Sequence, residues 1–372
     1  MDADPDLAAV LGVPPDDIDD LIDQFQRDTF EGRRYRHLTD ARHGVERGTA
    51  IIDGEVVRGF PSIPRTLVLD PGVPNHFDGR LVVEEKRNGY NVRVVAIDGD
   101  VLGLTRSGYV CPYTTSVVRD VLDPAFFDDH PELQVCGELI GPENPYTPHD
   151  YSAVESARLE VFDLRHRESG TPLAVTRRRD LCTDYDLPQV PAFGTYDPSE
   201  APAAVREIIA DLDAEGKEGV VLQSVDGTRQ LKYTTSAIHR ADLEHAFSLP
   251  FDYGRDFVFP RIIREVFQAV ELDRTTGESR QRARELGESI LLPAIETVRA
   301  VERGETVGEE HTVRGDPDVI EALLSHLRDQ GISLDVERDV REDGTRVVSF
   351  VKVAQATRDN SRDYLDGKLI DE

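Results

Sequence analysis

The chain is predicted to be an α+β protein. A small α/β unit comes first, then a core of short antiparallel strands, a helical block and a second small α/β unit. Three observations predict this. Between residues 49 and 235, short apolar runs of alternating polarity are separated by Asp-Gly and proline turn signals. From residue 236 to 303, apolar residues recur at helical spacing instead. Beyond residue 306, one amphipathic helix is followed by two strand-like runs. The expected units span residues 1–76, 77–235, 236–305 and 306–372.

The elements follow in order. Ile18, Leu21, Ile22 and Phe25 predict a helix over residues 16–27, started by Pro14-Pro15. Residues 49–52 and 55–58 flank Asp53-Gly54 and predict a hairpin. The segment Arg58-Gly59-Phe60-Pro61 then enters a connector marked by Pro64, Pro71 and Pro74. Residues 80–83 and 90–97 read as strands on either side of Glu84-Glu85-Lys86-Arg87-Asn88-Gly89. Residues 101–106 pair back on 90–97 across Asp98-Gly99. Further strands are expected at 133–140, 159–165, 219–222 and 230–233, the last two joined at Asp226-Gly227, with a helix over 201–214. Ile262, Ile263, Val266, Phe267 and Val270 form one helical stripe; Ile290, Leu291, Ile295 and Val298 form another. A helix over 317–330 and strands at 332–336 and 346–353, turning at Asp343-Gly344, close the pattern. The polar tail after Ala356 reads as a mobile segment or a docked arm.

A chain of 372 residues has ample material for several cores. Its 72 acidic and 43 basic residues give a formal charge of −29. Such an excess of carboxylates belongs to a protein kept soluble at high salt, and the regular apolar patterning argues against acidic disorder. The expected setting is a halophile's cytoplasm. Cys111, Cys136 and Cys182 form no C-x-x-C pair, so neither zinc nor a disulfide framework is indicated. The histidines show no ligand spacing. No run is long enough for a membrane span, and Met1 leads into polar sequence rather than a secretory signal. The net charge opposes nucleic acid, but at ~1 M salt the Debye length is about 3 Å. Basic clusters at residues 33–36, 165–167 and 177–179 survive; each also reads as surface arginine paired with carboxylates.

Only five basic residues are lysines: Lys86, Lys217, Lys232, Lys352 and Lys368. An amine can lose its proton and attack, which a guanidinium cannot. A lysine at a strand end, with Gly89 three residues on to permit a sharp turn, is therefore a candidate nucleophile. Taken singly, K-x-x-G also reads as surface lysine. Four stretches matter together: Lys86-Arg87-Asn88-Gly89, residues 159–163, Glu218-Gly219-Val220-Val221 and Gln230-Leu231-Lys232-Tyr233. In this order they resemble nucleotidyltransferase motifs I, III, IV and V of ATP-dependent ligases and capping enzymes. The whole chain resembles the homodimeric ATP-dependent RNA ligases of archaea, chiefly through E-K-x-N-G-Y-N-V-R and the R-G-F-P ahead of it. Many relatives have aspartate where Asn88 stands, and DNA ligases have a lysine where Gln230 stands. Both departures favour the RNA-ligase branch.

The resemblance implies a nucleotidyltransferase core of ATP-grasp-like antiparallel sheets, a helical dimerisation unit, and ATP with Mg²⁺ (or Mn²⁺). RNA ends are the implied partners, and no membrane is. Lys86 would attack the α-phosphorus of ATP. Holding that amine neutral at pH 7 costs about 4.6 kcal/mol unless its pKa falls, and Lys232 or the metal is the expected source of that fall. Glu218, and Glu138 with it, would hold the metal. Glu138 would alternatively meet the ribose. Phe162 would stack on adenine, although an alternating strand also explains it as core. Arg106 would bind phosphate or ribose, and Arg58 would reach the outgoing phosphates. Glu85 would orient the lysine or frame the base, beside Asn88 and Gly89, and Lys217 would add a phosphate contact. The competing readings are a capping-type guanylyltransferase and a non-catalytic RNA-binding protein with the same fold.

Overall fold

The computed structural model describes residues 5–149 and 154–369. Two antiparallel sheets form the centre. The first has the spatial order Ala192–Tyr196, Leu81–Lys86, Gly219–Ser224, Gln230–Thr234. The second runs Asp100–Thr105, Tyr90–Ile97, Leu133–Ile140, Arg158–His166. The chain passes from one sheet to the other within residues 87–89, so Lys86 ends a strand of the first and Tyr90 opens a strand of the second.

Each sheet buries its apolar face against helices. Leu81, Val83, Val220 and Leu222 pack on Val205, Ile209 and Leu212 of helix Ala201–Ala214. Val92, Val94, Val135 and Val161 pack on Val118 of helix Pro112–Val121 and on Leu181 of helix Val175–Asp184. The other face of the second sheet is also apolar, as expected for strands buried on both sides. Val95, Ile97, Leu102 and Leu104 share a core with Phe30, Tyr35, Ile52 and Val57 of an N-terminal sheet. That sheet is a meander of Gln26–Phe30, Arg33–His37, Ala50–Ile52 and Glu55–Val57. Asp53 and Gly54 both take positive φ in its last turn, as a two-residue hairpin of matching twist requires.

The expected helix over 16–27 is shorter. It occupies Ile18–Asp23, and Gln26 already opens a strand that pairs with His37. The apolar stripe still faces a core, but the Arg33–His37 strand captures the backbone after Phe25. Several arginines of the basic clusters are consumed by the fold. Arg33 pairs with Asp53 and Asp100, and Arg178 and Arg179 both reach Glu84.

Beyond Thr234 three helices follow. Thr235 caps Ser236–Ser248, and a reciprocal Thr275/Glu278 box caps Thr276–Glu302. Between them, Arg255–Glu271 carries Phe259, Val266, Phe267 and Val270 in exposed positions. The last unit is a three-stranded sheet, Gly308–Gly315, Thr345–Val353 and Leu334–Glu342, under helix Pro317–Asp329. The tail is a docked helix, Gln355–Leu365: Phe251 N donates to Thr357 Oγ1 at 3.1 Å, and Thr357 N to Asp252 at 2.9 Å. Among the described residues, no helix is long and apolar enough to cross a membrane.

Candidate active site

Strand register explains the position of Lys86. Lys86 faces Gly219 across the first sheet, so Glu218, one residue earlier, stands beside its amine. Lys86 Nζ donates to Glu218 Oε2 at 2.7 Å. Val221 pairs with Glu84 on one side and Lys232 on the other, which turns Lys232 to the same sheet face as Lys86. A cavity of about 230 Å³ opens on that face. Its opposite wall belongs to the second sheet, with Asn91, Arg106, Glu138 and Phe162. The nucleophile candidate and the second lysine therefore lie on one sheet, and the groups suited to base and sugar lie on the other.

Gly89 makes this crossing possible by close approach. A Cβ there would lie 2.4 Å from the Leu139 carbonyl oxygen and 2.8 Å from Ile140 Cγ2. Gly89 N also donates to Glu138 Oε1 at 3.2 Å, which fixes that carboxyl against the crossover. The expected sharp turn is thus a packing requirement. Arg87 braces the same crossover by bonding Glu85 on its own strand and Glu160 across the gap.

The charges are set by neighbours. Burial would lower the Lys86 pKa, but the carboxylates of Glu218 and Glu138 overcome it and hold the amine above its usual value. The expected fall is therefore reversed in the nucleotide-free protein: the ammonium has a carboxylate at 2.7 Å. Glu138 is pushed up to about 7 by burial, against the pull of Lys86 and with the repulsion of Glu218. Lys232 is pushed down to about 8 by burial and by the nearby Arg65 and Lys86 cations.

The other expected site residues separate into two groups. Phe162 lines the cavity and meets Phe60 edge-on, with ring centroids 5.1 Å apart. Arg106 lines it too, its guanidinium 5.8 Å from the Phe60 ring. Glu85 lines it as well, its carboxylate paired with Arg87. Asn88 sits at the crossover, and Asn91 lines the cavity in its place, with a buried Oδ1 that has no hydrogen-bond partner among the described residues. Lys217 stays at the rim, 2.7 Å from Glu215 and 3.6 Å from Glu85.

Arg58 does not join the site. Its guanidinium turns to the Leu11 carbonyl at 2.8 Å and to Glu46 at 3.0 Å, and its own carbonyl accepts from Arg93 at 2.7 Å. The reason is topological, because Arg58 leaves the N-terminal sheet before the chain reaches the cavity. Two residues later Phe60 does reach it. Sequence reasoning passed over Phe60, Asn91 and Arg65; an aromatic held between Gly59 and Pro61 was the available signal for the first.

Glu138 and Glu218 are suited to a divalent cation. They are two carboxylates that repel one another beside a cavity, and burial pushes one of them, Glu138, up to about 7. A hard cation takes such oxygens and fills its remaining positions with water and phosphate. Among the described residues, no cluster of three or more acidic, histidine or cysteine side chains is placed to hold a metal.

Two family models match the chain. RNA ligase matches residues 79–235, and Ligase Pab1020 C-terminal region matches residues 245–368. Two solved structures described as archaeal ATP-dependent RNA ligase, forms 2 and 1, are each 40% identical. Their TM-scores are 0.92 and 0.91, and both comparisons cover 99% of this chain and 100% of the other. A putative ATP-dependent DNA ligase from Aquifex aeolicus is 26% identical with a TM-score of 0.89, over 96% of this chain and 100% of that one. An uncharacterised protein of Methanocaldococcus jannaschii is 38% identical over 370 residues, covering 95% of this chain and 94% of its own.

Proposed function

The chain belongs to the ATP-dependent RNA ligase family, and from that premise we propose that it joins RNA 5′-phosphate and 3′-hydroxyl ends through an AMP carried on Lys86. The observation that carries the reading is the Lys86–Glu218 pair facing Glu138, Arg106 and Phe162 across one cavity.

In the first step the Lys86 nitrogen attacks the α-phosphorus of ATP. The N–P bond forms, the bond to the β-phosphate oxygen breaks, and diphosphate leaves. The ammonium must shed one proton before attack and another afterwards. A cation beside the Glu218 and Glu138 carboxylates would lower the ammonium's pKa, so that Lys86 releases its proton to solvent. A divalent cation on Glu218 and Glu138, Mg²⁺ or Mn²⁺, would supply the positive charge that frees Lys86 from its carboxylates and offsets charge on the phosphates. Phe162 and Phe60 offer the base a ring face and a ring edge. Arg106 has no carboxylate within ion-pair distance among the described residues, which suits it to ribose or phosphate oxygens. In the second step an RNA 5′-phosphate oxygen attacks the AMP phosphorus and the N–P bond breaks. In the third the 3′-hydroxyl attacks the RNA 5′-phosphorus and AMP leaves.

Labelled ATP with Mg²⁺, followed by denaturing electrophoresis, tests this. The wild-type chain takes up label from ATP and not from GTP, and Lys86→Ala and Lys86→Arg take up none, since arginine supplies charge without a neutral amine. Normal labelling of either variant would move the nucleophile elsewhere. The reading extends to a twofold dimer through the exposed apolar residues of the Arg255–Glu271 and Thr276–Glu302 helices, and to a cytoplasmic enzyme working at high salt, where its ATP and RNA are found.

A further inference from the structure

In a chain with 72 carboxylates, an arginine beside a functional cavity normally has an acidic partner. Arg65, Lys232 and Arg264 have none within ion-pair distance among the described residues. They stand together. Arg65 pairs with Lys232 by backbone, Lys232 N donating to the Pro64 carbonyl at 2.9 Å and Thr66 N to the Lys232 carbonyl at 3.3 Å. The Arg65 guanidinium donates to Thr234 Oγ1 at 2.6 Å. Arg264 comes from helix Arg255–Glu271 and lines a small gap with Arg65, Thr234 and His239. Its Nε is buried without a hydrogen-bond partner among the described residues.

The helix turn that carries Arg264 is fixed from behind. Thr234 Oγ1 and His239 Nε2 are 2.7 Å apart, His239 Nδ1 and Glu265 Oε1 2.9 Å, and Arg282 Nε donates to Glu265 Oε2 at 2.8 Å. Burial would raise Glu265, but the bonds from His239 and Arg282 hold it at about 2, so it remains a charged anchor. Its neighbour Arg261 is spent on Asp242 at 2.7 Å. Arg264, three residues on along the same helix, has no such partner among the described residues. Burial, Arg65 and Arg261 together lower it to about 10. Gathering like charges out of water is costly unless an anion arrives to neutralise them.

We infer that Arg65 and Arg264 form, beside Lys232, a second phosphate subsite, which takes phosphoryl oxygens other than those of the reacting α-phosphate. The inference rests on the ligase reading. Two sources share this chemistry, namely the diphosphate portion of ATP and the 5′-phosphate of RNA. Arg264 belongs to the helical segment, so the subsite would tie that segment to the reaction.

Arg264→Gln tests it in the full-length protein. Label uptake is titrated with ATP, and label removal from the adenylylated enzyme with inorganic pyrophosphate. Transfer of AMP to 5′-phosphorylated RNA and sealing of pre-adenylylated RNA are then measured separately. Loss of a charged contact should raise one half-saturating concentration about tenfold or more. If the subsite holds diphosphate, ATP and pyrophosphate are affected and sealing of pre-adenylylated RNA is not. If it holds the RNA phosphate, transfer to RNA is affected and label uptake is not. Arg264→Lys should recover part of the loss. The melting temperature should stay level or rise, because an unneutralised cation is removed. Wild-type behaviour in every assay would overturn the inference, as would an equal loss in all of them with a lowered melting temperature. A wild-type chain that neither labels nor seals would instead sink the ligase reading.

Discussion

Glu138 keeps its proton to about 7, whereas an unfolded chain releases it near the ordinary 4.5. The folded state therefore binds that proton more tightly. The stability it contributes is complete below about 4.5 and is lost as pH rises through about 7. At full strength the difference is worth roughly 3 kcal/mol, reduced by water at the exposed edge of the carboxyl. Glu138→Gln mimics the protonated form at every pH. Without metal or nucleotide it should melt several degrees above wild type at pH 8, with the gap closing towards pH 4.5. Equal melting at pH 8 would mean that the carboxylate is at no disadvantage there. At this scale the grouping of Lys86, Glu218, Lys232, Glu138, Arg106 and Phe162 was legible in the sequence, because the order of the motifs dictates place. All of them line or face one cavity. Arg58 was misjudged because its partner, the Leu11 carbonyl, lies 47 residues away. Arg264 was illegible because its isolation from acids exists only after folding.

The crossover between the two central sheets leaves no slack. Alanine at position 89 would bring a methyl carbon 2.4 Å from the Leu139 oxygen, and backbone cannot yield as a flexible side-chain end can. Gly89→Ala should lower the melting temperature by several degrees and sharply reduce label uptake, since the displaced strand carries both the lysine and the contact to Glu138. A variant with wild-type melting and labelling would show that the strands can part without loss. Strands between Asp-Gly turns were legible, because the turn chemistry fixes their ends. Helix Val175–Asp184 was not: three successive arginines hide its stripe, and Arg178 is itself buried, bonded to Glu84 and to the Phe162 carbonyl. The Gln26–His37 hairpin was hidden in the same way, since its arginines read as surface while Tyr35 faced the core.

The helical segment exposes a broad apolar surface. Val270 is 75% exposed, Leu291 61% and Val266 55%, in a protein otherwise coated with acid. Exposed apolar side chains on two helices suit a partner face, and a second copy about a twofold axis is the commonest solution. Light scattering in multimolar KCl should give a mass near 83 kDa, twice the 41.5 kDa chain. A mass near 41.5 kDa at micromolar concentration would end the idea. Dissociation on removing salt would reflect repulsion between acidic surfaces and is a separate effect. The sequence made the order of the units legible through their hydrophobic periods. It could not show that the N-terminal sheet, besides the core it forms with the first helices, shares a second with Val95, Ile97, Leu102 and Leu104 of the second central sheet. Period shows which residues are buried, not what covers them.

The division of the cavity between two sheets has a consequence for inheritance. Lys86 and Lys232 hang from one sheet, and Asn91, Glu138 and Phe162 hang from the other. Only residues 87–89 join the two walls directly at the lysine. Substitutions that adapt the recognising wall to a different base can then accumulate without moving the amine or its carboxylate. A lineage could exchange one nucleotide for another while its reacting apparatus stayed intact, and a protein engineer could take the same route.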